Sequence, residues 1–252
     1  MLRLYTFTIS HFSEKVRWAF DFEGVAYREK VLVPGPHQLV TLRHAPKSHV
    51  PLVEHDGRYV QGSSEILDYL HDALGARRLT SADPDARARA RALEQRLDRA
   101  FGLGVQRIVY SEMVKHRAEL TALWSAGGPF WARGFFALAY PVVVKAVQSM
   151  YRTTDRGAVE DAKQLFLRTF DELDAVLARQ PYLGGHAPDR TDITAAALLA
   201  PVCAPPEHMV KWPAVPGELA DFHSQLQGRP TWNHALSMYR QHRGSWCPAR
   251  TS

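Results

Sequence analysis

Cysteine is scarce in this chain of 252 residues, which has Cys203 and Cys247 and no other. Two cysteines do not make a disulfide framework, and nothing near Met1 has the pattern of a signal peptide, so we expect a protein of the reducing cytoplasm. Residues 1–83 contain no cysteine at all. A side-chain thiolate that exchanges disulfides is therefore excluded from that part of the chain.

The chain also lacks a long unbroken apolar run and a concentrated run of charge. Arg133, Pro141 and Lys145 interrupt the most apolar stretch, residues 130–147, so we expect no membrane span and predict a buried pair of helices, with a pocket wall as the alternative. The net charge of +5 is spread along the chain, and we expect no nucleic-acid partner. The 12 histidines show no metal-ligand spacing, so no metal is expected.

The first third of the chain alternates between strand and helix patterns. β-Forming residues predict strands at 2–7, 27–33, 52–55 and 58–61, and helical spacing predicts helices at 10–22, 38–43 and 63–71. A helix between the first two strands implies parallel pairing, whereas the tight turn at Asp56-Gly57 implies an antiparallel hairpin. We therefore predict an α+β domain at residues 1–78, with a mixed four-stranded sheet in a thioredoxin-like arrangement.

The rest of the chain has helical patterns and no convincing strand. Asp83 and Pro84 are residue types that begin helices, as cap and as first helical residue. A long amphipathic pattern at 161–177 predicts a further helix. We therefore predict an all-α helical-bundle domain at residues 84–252, after a short polar linker.

The segment from Ser10 to Arg17 marks the point where the first strand turns into the first helix. A helix start exposes unpaired N–H groups and a partial positive charge, which favour a bound anion or thiolate. Together with the Ser10 hydroxyl, this end of the helix can lower the pKa of a bound thiol. The alternative is that Ser10 is only a helix cap, completed by Ser13 and Glu14.

Two more turns have residues suited to binding a peptide. Pro51 begins a predicted strand; it either ends a loop or, through a cis bond, turns the Val50 backbone toward a ligand. At Gly62 a strand ends and a helix begins with Ser63 or Ser64, whose hydroxyl and helical N–H groups suit a ligand carboxylate. A plain serine cap is again the alternative.

Taken in order, these motifs resemble the N-terminal domain of the cytosolic glutathione S-transferases. They read Ser-x-Phe-x-x-Lys-Val-Arg from Ser10, Pro-x-x-x-Val-Pro-Leu from Pro46 and Ser-x-x-Ile-x-x-Tyr-Leu from Ser63. In the C-terminal half, Asp189 and Asp192 resemble the family's buried capping box. The resemblance covers essentially the whole chain except its middle, and it is of the serine type with no class assigned.

The resemblance implies a glutathione site in which Ser10 is the catalytic hydroxyl that stabilises the thiolate. Val50 would pair with the cysteinyl backbone beside a cis Pro51, and Ser63 would bind the γ-glutamyl carboxylate. The glutathione-binding residues that it implies are Phe12, Ser13, Val50, Pro51, Gly62, Ser63 and Ser64. It also implies glutathione as co-substrate, no metal, and a homodimer.

Some positions depart from the family's pattern. Gly62 stands where the family usually has Glu or Gln, and His11 stands where it has Pro. Ser48 and His49 replace the usual Gly before Val-Pro. Tyr5 is the alternative catalytic residue, of the tyrosine type, but it is one position out of alignment and on the opposite strand face.

Two functions follow from the sequence. The first is a glutathione transferase that attacks an apolar electrophilic small molecule, since glutathione itself would supply the sulfur that the domain lacks. The second is a non-catalytic binding or scaffold protein of the same fold, favoured by Gly62 and His11. We expect the electrophile to contact aromatic residues of the helical domain, namely Tyr110, Phe130, Trp131 and Tyr140.

Overall fold

The computed structural model describes residues 1–244; Cys247 and the end of the predicted helical domain lie outside the described residues. The first part of the fold comprises β1 (Leu2–Thr6), α1 (His11–Glu23), β2 (Arg28–Val31), α2 (Gln38–His44), β3 (Leu52–His55), β4 (Arg58–Gln61) and α3 (Ser63–Leu74). The strands lie in the order β2-β1-β3-β4, with β1 parallel to β2 and the other pairs antiparallel. The predicted mixed sheet is confirmed.

Local residue chemistry explains where these elements begin and end. Asp56 and Gly57 have φ values of 49° and 84°, the positive pair that a two-residue hairpin turn requires. The α1 helix begins after Ser10, whose hydroxyl oxygen accepts a hydrogen bond from the Ser13 N–H at 3.1 Å. It ends at Gly24, which has a left-handed φ of 71°.

The remaining elements of the described chain are helices, apart from one β-bridge between Tyr182 and Gly185. They are α4 (Pro84–Leu97), a π-helical segment (Asp98–Leu103), α5 (Gly104–Met113), α6 (Arg117–Ser125), α7 (Ala132–Tyr151), α8 (Arg156–Leu177), α9 (Arg190–Cys203), α10 (Gly217–Ser224) and α11 (Pro230–His242). Within residues 1–244, no helix is both long enough and apolar enough to span a bilayer.

The α9 helix lies at the centre of the molecule and packs against α1, α4 and α11. Its capping box is present: the Asp189 carboxylate accepts from the Thr191 N–H at 2.7 Å, and the Asp192 carboxylate accepts from the Asp189 N–H at 3.0 Å. Almost every residue of α9 is buried, so water cannot satisfy its first N–H groups. This confirms the capping box predicted from the sequence.

The α7 helix differs from its prediction. Residues 132–151 form one helix rather than a buried pair, and apolar side chains such as Leu138 and Val142 are 87% and 72% exposed. The helix continues through Pro141, which has no N–H to donate to the Ala137 carbonyl. The Arg117 guanidinium donates to that carbonyl instead, at 2.5 Å. One face of α7, which includes Ala139, Val143 and Val147, lines a pocket.

A buried ionic cluster joins the sheet-containing part to the helices. Lys15 Nζ lies 2.6 Å from the Glu94 carboxylate and 2.9 Å from that of Asp98. Arg190 lies 2.7 Å from both Glu94 and Asp68. Burial opposes ionisation of Glu94, but the charges of Lys15 and Arg190 prevail and hold the pKa of Glu94 below its usual value.

Candidate functional site

A cavity of about 1220 Å³ lies between the two parts of the fold. One side of it is formed by the start of α1, the loop before β3 and the start of α3. Helices α5 and α7 and residues 212–216 form the other side, which is mostly apolar. No group of His, Cys, Asp and Glu side chains in the described chain is arranged to hold a metal ion.

Ser10 lies in this cavity wall, at the N-terminal end of α1. Its backbone N–H donates to the Phe7 carbonyl at 3.1 Å, which fixes the turn out of β1. Its hydroxyl oxygen accepts from the Ser13 N–H. Because that bond uses the oxygen as acceptor, the hydroxyl hydrogen can be donated into the cavity, where the helix end also favours negative charge.

Ser13 is not part of the cavity wall, in contrast to the prediction that it binds glutathione. Its side chain is fully buried, and within residues 1–244 its hydroxyl has no hydrogen-bond partner. The residue lies nearly one turn into α1, which turns its side chain toward the protein interior. Its N–H donates to the Ser10 hydroxyl, so Ser13 is part of the cap at the start of α1.

The Lys-Val-Arg motif, residues 15–17, is fully buried and packs beneath the turn that contains Ser10. Arg17 donates to the Phe7 carbonyl at 2.9 Å and to the Glu29 carboxylate at 2.6 Å. Thr6 donates to the same carboxylate at 2.6 Å. Arg17 therefore ties the end of β1 to α1 and β2, and it holds in place the turn that contains Ser10.

His11 and Phe12 bring the start of α1 against the π-helical segment. His11 Nε2 lies 3.2 Å from the Gly102 carbonyl oxygen, and burial lowers the pKa of His11 to about 4. The ring is therefore neutral at pH 7, and the nitrogen facing the carbonyl is the one that carries hydrogen. Phe12 packs so closely on Gly102 that a Cβ there would lie 2.3 Å from its ring. No local sequence pattern indicates this contact, because it joins residues that are far apart in the chain.

The loop before β3 contributes Val50 and Pro51 to the cavity wall, and the peptide bond between them is cis. The Pro51 carbonyl accepts from the Gly62 N–H at 3.1 Å. The Gln61 amide donates to the carbonyls of Lys47 and His49 at 2.7 and 2.8 Å. Gln61, one position before Gly62, thus holds the loop rather than facing a ligand.

Ser63 and Ser64, both predicted to bind glutathione, have different surroundings at the start of α3. Ser63 is buried and lines the cavity at the first position of the helix. Ser64 also borders the cavity, but its hydroxyl accepts from Lys15 at 3.0 Å and lies within 2.9 Å of the Glu94 and Asp98 carboxylates. Its hydrogen-bonding capacity is used by the ionic cluster, so Ser63 is the serine available to a ligand.

Gly62 lines the cavity with a φ of +104°, a conformation that other residues rarely adopt. A Cβ at this position would lie 2.2 Å from Glu65 Oε2. The Glu65 carboxylate therefore occupies the space next to Gly62 where a side chain would otherwise begin. It also pairs with Arg91 at 3.2 Å.

Of the four aromatic residues expected in the apolar wall, one lies there and three do not. Tyr110 lines the cavity and stacks on Tyr151, with ring centroids 5.4 Å apart. Phe130 is 98% exposed and, like Trp131 and Tyr140, lies outside the wall. The wall is completed by residues of the stretch 130–147, for which a pocket wall was the alternative, and by others that the sequence pattern did not single out. The former are Phe135, Val142, Val143 and Val147; the latter are Ile9, Trp124, Met150 and Trp212.

Comparison with known proteins also gives matches among the glutathione S-transferases. Residues 4–78 match the family model described as glutathione S-transferase, N-terminal domain. A curated glutathione S-transferase from Pseudomonas putida is 27% identical over 135 residues, an alignment that spans 48% of this chain and 60% of that protein. This chain is thus matched over less than two thirds of that relative's length.

Solved structures resemble the chain over nearly its whole length. The beta-etherase LigF from Sphingobium sp. strain SYK-6 has a TM-score of 0.62 at 19% identity, with 94% of this chain and 98% of that one covered. A glutathione S-transferase from Methylobacillus flagellatus, solved with GSH bound, has a TM-score of 0.62 at 16% identity, with coverages of 98% and 100%. FzlA from C. crescentus has a TM-score of 0.57 at 18% identity, with coverages of 100% and 96%. At these identities the likeness establishes the fold, and together with the match of residues 4–78 to the N-terminal domain model it confirms that this chain resembles the glutathione S-transferases.

Proposed function

We propose that this protein is a glutathione transferase that activates the glutathione thiolate for attack on a hydrophobic electrophile. The observation that carries the proposal is a single cavity that joins a helix start with a free hydroxyl hydrogen, at Ser10, to an apolar wall on α5 and α7. The family match at residues 4–78 supports glutathione as the thiol.

Glutathione binding would use the groups on the sheet side of the cavity. Val50, beside the cis Pro51, would pair with the cysteinyl backbone, and Ser63 with the first N–H groups of α3 would hold the γ-glutamyl carboxylate. Phe12 and Gly62 complete this side of the wall. In this proposal, residues 1–78 bind glutathione and the helices from residue 84 bind the electrophile.

Thiolate activation would follow from the hydroxyl and the helix end. Ser10 donates its hydrogen to the sulfur, and the positive end of α1 adds to the stabilisation of the anion, so the thiol pKa falls toward neutrality. The sulfur then bonds to the electrophilic carbon of, for example, an aryl halide. Halide leaves with the bonding electron pair, and the thiol proton passes to solvent.

The rival function is a non-catalytic protein of this fold that binds or organises a partner. The observation in its favour is Gly62, where the family's usual acidic or amide side chain is missing and Glu65 fills the space. Glutathione titration by calorimetry, followed by turnover of an aryl halide, separates the two functions. Saturable binding with turnover supports the transferase. Binding without turnover across several electrophile classes, or no binding at millimolar glutathione, supports the rival.

A further inference from the structure

The start of α1 is fixed by a contact that lies outside the glutathione-binding residues. His11 directly follows Ser10 and is 4% exposed, with Nε2 3.2 Å from the carbonyl oxygen of Gly102. Gly102 is buried within the π-helical segment (Asp98–Leu103), the rare type of turn that proteins keep at functional positions. The start of α1 is therefore attached to an irregular part of the opposite side of the cavity.

The same segment holds α1 at two more points. Asp98, its first residue, pairs with Lys15 at 2.9 Å. Phe12 packs against Gly102, where any side chain would collide with its ring. Of these contacts, only the hydrogen bond of His11 comes from the residue next to Ser10. It is also directional, which fixes orientation as well as distance.

Building on the proposed function, we infer that His11 is a positioning residue for Ser10, acting through the hydrogen bond from its Nε2–H to the Gly102 carbonyl. The first residue of α1 sets where the Ser10 hydroxyl lies relative to a bound sulfur. A displacement of about 1 Å at such a contact lowers rates by about a hundredfold. His11 also borders the cavity, but in this inference it acts through the position of Ser10 and not on the sulfur.

If His11 acts through its N–H donor, removing the donor should have an effect that preserving the size of the side chain does not prevent. Two substitutions at His11 test this. His11→Gln retains an N–H donor of similar reach, whereas His11→Leu retains bulk but removes the donor. His71→Leu is the matched control: His71 is 6% exposed and its Nδ1 lies 3.1 Å from the Ala76 carbonyl, but it does not line the cavity.

The measurement is the pKa of the glutathione thiol in the complex, followed by thiolate ultraviolet absorbance, with kcat and KM from pH 5.5 to 8.5. We expect His11→Leu to raise the thiol pKa by about one unit and to lower kcat near pH 6.5 about tenfold, with KM for glutathione nearly unchanged. His11→Gln should recover the wild-type thiol pKa to within about 0.3 units, about a twofold change in thiolate. His71→Leu should leave thiol pKa and kcat unchanged. Circular dichroism verifies that each variant is folded.

Two results would overturn the inference. In one, folded His11→Leu has the wild-type thiol pKa, which would mean that the hydrogen bond does not act on Ser10. In the other, His11→Gln and His11→Leu raise the thiol pKa equally, which would assign the effect to packing. A different result would contradict the proposed function: the wild-type protein itself would not lower the pKa of the bound thiol.

Discussion

At the scale of single residues, the Ser10 hydroxyl has two roles that a mutation removes together. It caps α1 through the Ser13 N–H, and it would donate to the glutathione sulfur. We expect Ser10→Ala to raise the thiol pKa by roughly one unit and to lower turnover near neutral pH about ten- to a thousandfold. Glutathione binding should change little, because in the proposed site Val50 and Ser63 would hold most of the peptide. Stability should fall by about 0.5–2 kcal/mol from the lost cap, so activity must be compared well below the melting temperature.

Ser13→Ala is the control for that experiment. Its side chain is buried away from the cavity, so the variant should keep the wild-type thiol pKa. Greater loss of activity from Ser13→Ala than from Ser10→Ala would show that the catalytic hydroxyl had been misassigned. Ser10→Cys offers a positive test, because its sulfur should attack glutathione disulfide and exchange thiols in place of conjugation.

His11 also makes a prediction about stability and pH. Burial lowers the pKa of His11 to about 4, whereas unfolding returns it to its ordinary 6.5. Between these values the unfolded chain binds a proton that the folded chain does not, so stability falls on acidification by about 1.36 kcal/mol per pH unit. We expect the wild type to lose about 1.6 kcal/mol more than His11→Gln between pH 6.5 and 5, measured by urea unfolding. Parallel curves for the two proteins would show that His11 is protonated in the fold.

At the scale of elements, the capping box of α9 makes the clearest prediction. Asp189→Ala removes an acceptor for the buried N–H of Thr191, and we expect stability to fall by about 2 kcal/mol, the upper end of the range for helix caps. Asp189→Asn keeps an acceptor oxygen and should lose less than half as much. The melting temperature of each variant, and glutathione binding to the folded protein, give the measurement. Equal melting temperatures for Asp189→Ala and the wild type would contradict the assigned cap.

Elements whose signals are local could be predicted from the sequence. The Asp56-Gly57 turn, the cap at Asp83 and the capping box at Asp189 each depend on residues a few positions apart, and all three are present. The buried pair of helices predicted for residues 130–147 is wrong, whereas the alternative of a pocket wall agrees with the structure. The carbonyl that Pro141 leaves without its N–H partner is satisfied by Arg117 of another helix, a contact that no local pattern contains. The π-helical segment left no sequence signal, since it differs from an α-helix by hydrogen-bond register alone.

The same distinction applies to the candidate site. Ser10, Val50 and Ser63 stand at element ends that the pattern could locate, and all three line the cavity. The prediction of Phe130 and Trp131 depends on residue type alone, but tertiary packing decides which aromatic side chains face the cavity. Ser64 is hydrogen-bonded to Lys15 of the ionic cluster, a long-range contact that no local pattern contains.

At the scale of the whole molecule, Glu94 compensates two buried cations from different parts of the fold. Glu94→Gln would leave Lys15 and Arg190 with less opposing charge, and we expect a loss of about 3–5 kcal/mol in the free energy of unfolding. Because its folded pKa is lowered, the stabilisation by Glu94 is present above about pH 4.5 and is lost as pH falls further. Urea unfolding at pH 7 measures the effect.

Glu172→Gln is the matched control, because Glu172 pairs with Arg96 where both side chains are more than half exposed. It should change the free energy of unfolding by less than about 1 kcal/mol. Equal effects of Glu94→Gln and Glu172→Gln would show that the buried cluster contributes no more than a surface ion pair.

The oligomeric state is also a property of the whole molecule. From the family resemblance we expect a two-fold homodimer in which the thioredoxin-like domain of one subunit packs on the helical domain of the other. Sedimentation velocity at micromolar concentration should give the mass of two chains. A single species with the 28.4 kDa mass of one chain would contradict this expectation.

Gly62 and Glu65 have a consequence for protein design. Introducing Glu at position 62 would place a Cβ 2.2 Å from Glu65 Oε2 and force a side chain onto a backbone with a φ of +104°. The Glu65 carboxylate ends a flexible side chain that is more than half exposed and can move aside, so the backbone of the turn is the larger obstacle. A designer who wants an acidic side chain at this position must therefore remodel the turn between β4 and α3.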